Sequence, residues 1–312
     1  MASIKIRDNN GLTITPDIKK EFPSIFNHRR STRVSEDYQM YRSDQVIELM
    51  EQNGLKLVEI GQERMGWSQK RQPHTQIHTM RFHSLSTQLK DFGVGDSVPE
   101  IVVMNSHDGR CLFRAMAGVF RLVCSNGMIV ADQQFGTIAR RHYGEANAFA
   151  KVKEIIADMP RVVNLVSERI ADWSALELDR RAQLALARLM MKDRAAPEWL
   201  LPEQVLEHRR ELEAPNADGV RSLWSTFNVA QEALTNAEVH RLSGEGRARS
   251  IRPINGTVGN VGVNQKLWAT AEAYFDAKVE RMKPAERERF EAARAAASKR
   301  TSSKSRKAKV DA

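Results

Sequence analysis

Residues 105–128, NSHDGRCLFRAMAGVFRLVCSNGM, bring together side chains that enzymes use as nucleophiles and bases. Ser106, His107 and Asp108 follow in succession, and Cys111 and Cys124 are the only cysteines of the chain. A Ser–His–Asp relay works because three side chains from separate segments converge on one point. Consecutive residues do not converge in that way. Turn chemistry accounts for these residues instead: Asn105 and Asp108 have short polar side chains that bond nearby backbone, and Gly109 takes a positive φ without strain. Asn126-Gly127 is a dipeptide of the kind that closes tight hairpins. The remaining catalytic arrangement pairs Cys124 as nucleophile with His107 across a sheet, against the plainer account of a buried cysteine as a small hydrophobe.

Metal and phosphate chemistry are thinner. On a strand, His74 and His78 share a face but stand roughly 13 Å apart. One zinc ion with bonds of roughly 2 Å does not span that gap, and His83 falls on the opposite face. No metal and no cofactor are expected. The chain has neither G-x-x-x-x-G-K-[ST] nor G-x-G-x-x-G after a strand. Gly259-Asn260-Val261-Gly262 fits the short G-x-x-G of RNA-clamping loops, but its flanks are not those of that fold, and it reads as a loop tip.

Basic residues carry the strongest signal. The formal net charge is +9 and the pI about 9.7, which favours polyanionic partners where the charge is clustered. The last residues, SKRTSSKSRKAKVDA, hold Lys299, Arg300, Lys304, Arg306, Lys307 and Lys309 against Asp311 alone. A second cluster lies in RLSGEGRARSIRPINGTVGNVGVN, residues 241–264, where Arg241, Arg247, Arg249 and Arg252 face one acid, Glu245. Cations without a competing anion suit phosphate contact. Arg110, Arg114 and Arg121 interleave with Phe113 and Phe120, a pattern for a sheet on which bases stack while the backbone is neutralised. A short basic run, His28 to Arg33, stands near the N-terminus.

The elements that must position these residues follow from periodicity. Residues 1–14 read as a flexible N-terminus, and the first forty as irregular. Val46, Ile47, Leu49 and Met50 mark a helix over 43–53, ended by Asn53-Gly54. Strands follow at LKLVEIGQERM, TQIHTMRFHS and VPEIVVMN, then at CLFRAMAGVFRLVC, which can break at Ala117-Gly118. In the second strand His78, Met80 and Phe82 share one face, and Thr79, Arg81 and His83 the other. Residues 55–131 thus form a mostly antiparallel sheet. Residues 145–283 read as helical, with an interruption at Pro160, a capping box of Ser174 and Glu177, a start at Pro202 and a cap at Asn264. Pro284 opens a terminal helix over 284–297, and 298–312 reads as a disordered basic tail. The fold class is α+β, a sheet packed against helices in a single domain over 15–283.

With 41% apolar and 28% charged residues, and no apolar run of the roughly 18 residues that a membrane span needs, no membrane partner is expected. Two cysteines give no disulfide framework, so a reducing cytoplasm is the expected compartment.

VPEIVVMNSHDG followed by FRLVCSNGMIVAD resembles the YafZ/YfjQ/YubP family of plasmid and cryptic-prophage proteins, domain-of-unknown-function family 932. FPSIF near residue 22, and the arginine loop followed by VNQKLWATAE, extend the resemblance over roughly 15–277, leaving the basic tail outside it. It implies bacterial hosts and a mobile-element setting, and brings no activity or cofactor. The expected function is a non-enzymatic, nucleic-acid-associated accessory protein, with single-stranded DNA as partner in a binding or annealing role and a homo-oligomer compatible with it. The alternatives are a protein that binds a host factor and an enzyme using Cys124 or His107.

Overall fold

The computed structural model describes residues 3–8, 10–63, 72–84, 97–121, 127–128, 138–140, 153–154, 157, 165, 168–207, 214–236, 240–242, 248–254 and 257–310. Contacts divide the chain into two compact units, residues 1–164 with 255–259, and residues 165–254 with 260–312.

The first unit is an antiparallel sheet in chain order. β1 (Ser3–Arg7), β2 (Leu55–Glu63), β3 (His78–Ser84), β4 (Ser97–Asn105) and β5 (Phe113–Arg121) lie side by side. Two short strands, β6 (Gly127–Met128) and β7 (Ile138–Arg140), both pair with β5. The sheet therefore starts at residue 3, inside the stretch that the sequence pattern predicts as flexible. Ile4 and Ile6 explain the difference: their alternation packs them against the apolar core of the sheet.

Three helices cover one face: α1 (Pro16–Glu21), α2 (Pro23–Phe26) and α3 (Ser43–Gln52). Each of the first two starts with a proline, which fits the first helical turn because its missing N–H has no partner there anyway. Phe22, Ile25, Val46 and Met50 meet Ile60, Met80, Phe82, Ile101 and Phe113 in one core. Full burial of each such side chain is worth roughly 1.5–3 kcal/mol. β5 runs unbroken through Ala117-Gly118, with Gly118 opposite Glu100.

The second unit is mainly helical. After α4 (168–175), β8 (Glu177–Leu178) pairs with β9 (Arg221–Ser222). α5 (Arg180–Asp193) begins at Asp179, whose carboxylate accepts from Ala182 N at 2.7 Å. The capping box predicted at Ser174 is thus displaced, because Ser174 lies within α4 and Asp179 caps the next helix. α6 (Pro202–Val205), α7 (Leu223–Asn236), α8 (Thr257–Glu280) and α9 (Pro284–Val310) follow. An aromatic core holds them: Trp173 stacks on Trp268 at 4.2 Å between ring centroids, and Phe227 meets Trp173 edge-on at 5.3 Å. Asn264 lies inside α8 as a buried partner of Gln231 rather than as a cap. The backbone of α9 continues to Val310, through the segment whose composition reads as disordered. Ala, Lys and Arg are strong helix formers, so that composition also suits a helix. Among the described residues, no helix is long and apolar enough to cross a membrane.

Candidate nucleic-acid interface

The reactive-looking stretch after β4 is a buried polar hub. His78 Nδ1–H donates to the Gln76 carbonyl at 2.9 Å, which leaves Nε2 to accept from the Ser43 hydroxyl at 2.6 Å. Asn105 Nδ2 donates to Ser43 Oγ at 3.0 Å and to the Tyr41 carbonyl at 2.8 Å. A serine hydroxyl bonded to an oriented imidazole is the arrangement of an activated nucleophile. Here Ser43, His78, Asn105 and His107 are all fully buried, and Asn105 occupies the oxygen a substrate would approach. The network joins the first residue of α3 to β3 and β4.

The neighbouring residues behave likewise. Ser106 Oγ accepts from Cys111 N, and its carbonyl accepts from the Tyr38 hydroxyl. The His107 carbonyl accepts from Ser31 N. Asp108 accepts from Arg110 N and Nε, and Gly109 takes φ +75°. Burial pushes the Cys111 thiol up to about 12, which removes its thiolate at neutral pH. Cys124 and Asn126 lie outside the described residues. Gly127 is paired with Phe120 within the β5–β6 ladder, so it belongs to a strand and not to a two-residue turn.

The opposite face of the sheet carries a buried charge network. Glu100 on β4 accepts from Arg7 at 2.7 Å and from His83 Nε2 at 2.7 Å, and also from Arg81. Arg7 reaches Glu59 on β2 at 3.0 Å as well. Burial acts against the Glu100 carboxylate, but Arg81, His83 and Arg7 together bring it down to about 2. His83 is thus committed to Glu100, and His78 to Ser43. Among the described residues no group of histidine, cysteine or carboxylate side chains is placed to hold a metal ion.

The predicted arginines divide between the two units. Arg114 is half-buried on β5, opposite Met104, and its Nε has no hydrogen-bond partner among the described residues. Arg121, described for its backbone, pairs with Ser97. In the second unit the arginine-rich segment, predicted as a loop, forms a hairpin. β10 (His240–Leu242) and β11 (Ala248–Ser250) are antiparallel, and Arg241 stands directly opposite Arg249. Arg247 lies outside the described residues. Arg252 follows β11 and is exposed.

The base of this hairpin is clamped. Arg194, just past α5, donates through Nε to the Leu234 carbonyl at 3.0 Å and through Nη2 to the Arg252 carbonyl at 2.7 Å. Ile254 N donates to the Thr235 carbonyl at 3.0 Å. One guanidinium fork thereby ties the end of α7 to the segment leaving β11. Arg194 stands in the sequence as an ordinary charged residue of a helix end, and its role is visible only from the long-range pairing.

Lys299, Arg300, Lys304, Arg306, Lys307 and Lys309 occupy the last turns of α9. Upstream, α9 is fastened to its unit by Arg294, which donates to Asp172, and by Phe290 packing on Phe275 at 6.0 Å.

The family model for "Domain of unknown function (DUF932)" matches residues 31–268. The chain belongs to the DUF932 family. That match contains the polar hub and the arginine hairpin and ends before α9. The chain is 28% identical over 270 residues to "UPF0380 protein YafZ" of Escherichia coli (strain K12), an alignment covering 86% of this chain and 93% of that protein. It is 27% identical over 269 residues to "UPF0380 protein YfjQ" of the same strain, with the same two coverages. No solved structure matches this DUF932 chain.

Proposed function

We propose that this DUF932 protein binds nucleic acid through phosphate, as an accessory protein of a bacterial mobile element, with single-stranded DNA as its preferred partner. The hairpin carries the reading. Arg241 and Arg249 occupy directly opposed positions, and like charges placed so destabilise a strand pair. A bound phosphate offsets that repulsion, and the clamp of Arg194 holds the hairpin base in one geometry. Arginine suits the task because its planar fork matches phosphate oxygens and is weakly hydrated. The six cations at the end of α9 add charge without an opposing carboxylate until Asp311.

The test is fluorescence anisotropy with labelled single-stranded DNA, duplex DNA and RNA across a salt series. The expected result is binding that falls steeply with salt. Charge reversal at Arg247, Arg249 and Arg252 in a chain ending at Ala297 should weaken it by about tenfold or more and lower the salt slope by roughly 0.7 for each lost single-strand contact. Salt-independent binding, or unchanged affinity of that variant, overturns the proposal.

A further inference from the structure

Arg114 on β5 is a half-buried cation that the fold leaves without an acceptor. Phe113 and Ala115 belong to the apolar core, so the alternation of the strand turns Arg114 to the other face of the sheet. Its directly opposed neighbours are Met104 on β4 and Ala139 on β7, residue types without a carboxylate. Nε is buried with no hydrogen-bond partner, and among the described residues the guanidinium makes no ion pair.

Carboxylates are close, but another arginine holds them. Burial is what chiefly raises the Cys111 thiol, and of the charges that act on it Arg114 comes first, followed by Glu63, Asp108 and Arg110. These four side chains thus gather around one thiol. Arg110 donates through Nε to Asp108 at 2.6 Å and through Nη2 to Gln76 Oε1 at 3.2 Å, and its Nη1 stands 3.8 Å from Glu63. One guanidinium meets both acids, and Arg114 is left out. A charged donor withdrawn from water without an acceptor is costly. An acceptor that arrives with a ligand relieves that cost.

The chemistry of the group narrows the ligand. The planar fork of a guanidinium matches two oxygens of one phosphate. The aromatic side chain beside it in the chain, Phe113, is turned into the core and is 1% exposed, so a base does not stack on it. The pairing of Arg114 with Phe113 that residue order suggests is therefore divided between the two faces of the sheet. What remains is a cation without an adjoining stacking platform, which suits a contact blind to the base. We infer that Arg114 is a sequence-neutral phosphate contact, on the sheet unit, for the backbone of the bound nucleic acid. This rests on the proposed nucleic-acid binding and deepens it, by naming a contact outside the hairpin and the part of the strand that it meets.

The experiment compares the full chain, Arg114→Gln, Arg114→Lys and Arg241→Glu/Arg249→Glu on labelled single strands of about 40 nucleotides, one all-thymine and one of mixed sequence, across a salt series. Arg114→Gln is expected to bind both strands about fivefold more weakly at about 100 mM salt, with a salt slope smaller by roughly 0.7 for one lost contact. Arg114→Lys keeps the charge without the fork, and should lose affinity at an unchanged slope. Thermal unfolding accompanies each variant. Because the guanidinium has no partner within the protein, Arg114→Gln should keep the thermal midpoint of the unaltered chain. A lowered midpoint with unchanged strand binding would mark a structural arginine and overturn the inference. Unchanged affinity and slope in Arg114→Gln, with loss in the hairpin variant, also overturn it and leave the proposed function standing. Inorganic phosphate at constant ionic strength is the remaining arm. If it raises the midpoint of the unaltered chain but not of Arg114→Gln, while strand binding is equal in the two, the ligand is free phosphate and the assignment to nucleic acid fails. Absence of strand binding by the unaltered chain overturns both readings.

Discussion

Glu100 shows how much a single carboxylate can organise. It sits on a central strand, fully buried, and collects Arg7, Arg81 and His83 from two other strands. Its pKa of about 2 in the folded protein lies below the ordinary value of 4.5, so its contribution to stability is present above about pH 4.5 and is lost as pH falls towards 2. A shift of this size corresponds to about 3 kcal/mol. Glu100→Gln should lower stability at pH 7 by roughly 3 kcal/mol, because it takes from the buried Arg81 the carboxylate that Arg81 Nε donates to and leaves Glu59 at 3.9 Å. The variant should also lose part of the acid sensitivity between pH 4.5 and 2. Urea midpoints measured at pH 7, 4 and 3 check both, and parallel profiles for the two proteins would count against the assignment. The alternation in TMRFHS places Arg81 and His83 on a face of their own, opposite Met80 and Phe82. The sequence carries no sign that this face is buried or that Glu100 meets it, since the partners are separated by up to 93 positions.

Among the elements, the hairpin of β10 and β11 depends most on distant contacts. Each strand has three residues, and a two-stranded hairpin is marginal in water by itself. The clamp of Arg194 supplies what the strands lack. Its cost is visible: burial lowers the pKa of this guanidinium below its ordinary value. Arg194→Ala should leave α5 and the aromatic core intact while amide exchange of residues 248–254 accelerates by about tenfold, corresponding to about 1.4 kcal/mol of lost local protection. It should also weaken nucleic-acid binding without changing the salt slope, because Arg194 spends its donors on carbonyl oxygens rather than on phosphate. Unchanged exchange in that segment would show that the ladder holds without the clamp. Composition alone, with five glycines between residues 241 and 264, points to a loop. The ladder arises from pairing and clamping that composition does not encode.

For the whole molecule, charge is distributed unevenly. The stretch from Ser298 to Ala312 carries six cations and one acid, a net +5 of the total +9. The contacts that fasten α9, Phe290 to Phe275 and Arg294 to Asp172, lie before it. A chain ending at Ala297 should therefore keep its thermal midpoint and still bind single-stranded DNA, with a smaller salt slope. If binding disappears with the tail, the hairpin is not a contact surface, and protein partners become the reading to pursue.

Amino-acid order alone determines the α+β class, the antiparallel sheet and the turn at Asp108-Gly109, because these rest on periodicity of two or 3.6 and on local backbone preferences. It also marks the basic clusters, since charge is countable. What surrounds His78, Asn105 and His107 is visible only in the fold. Ser43, His78 and the neighbours Asn105 and His107 come from three separate stretches of the chain and meet as a buried hydrogen-bond hub. The same holds for the arginines. Their sequence shows where positive charge is, while the opposed register of Arg241 and Arg249 comes from the β10–β11 ladder and the clamp of Arg194 from long-range hydrogen bonds. Which carbonyl oxygens the Arg194 guanidinium meets depends on the fold, and no local pattern contains those contacts.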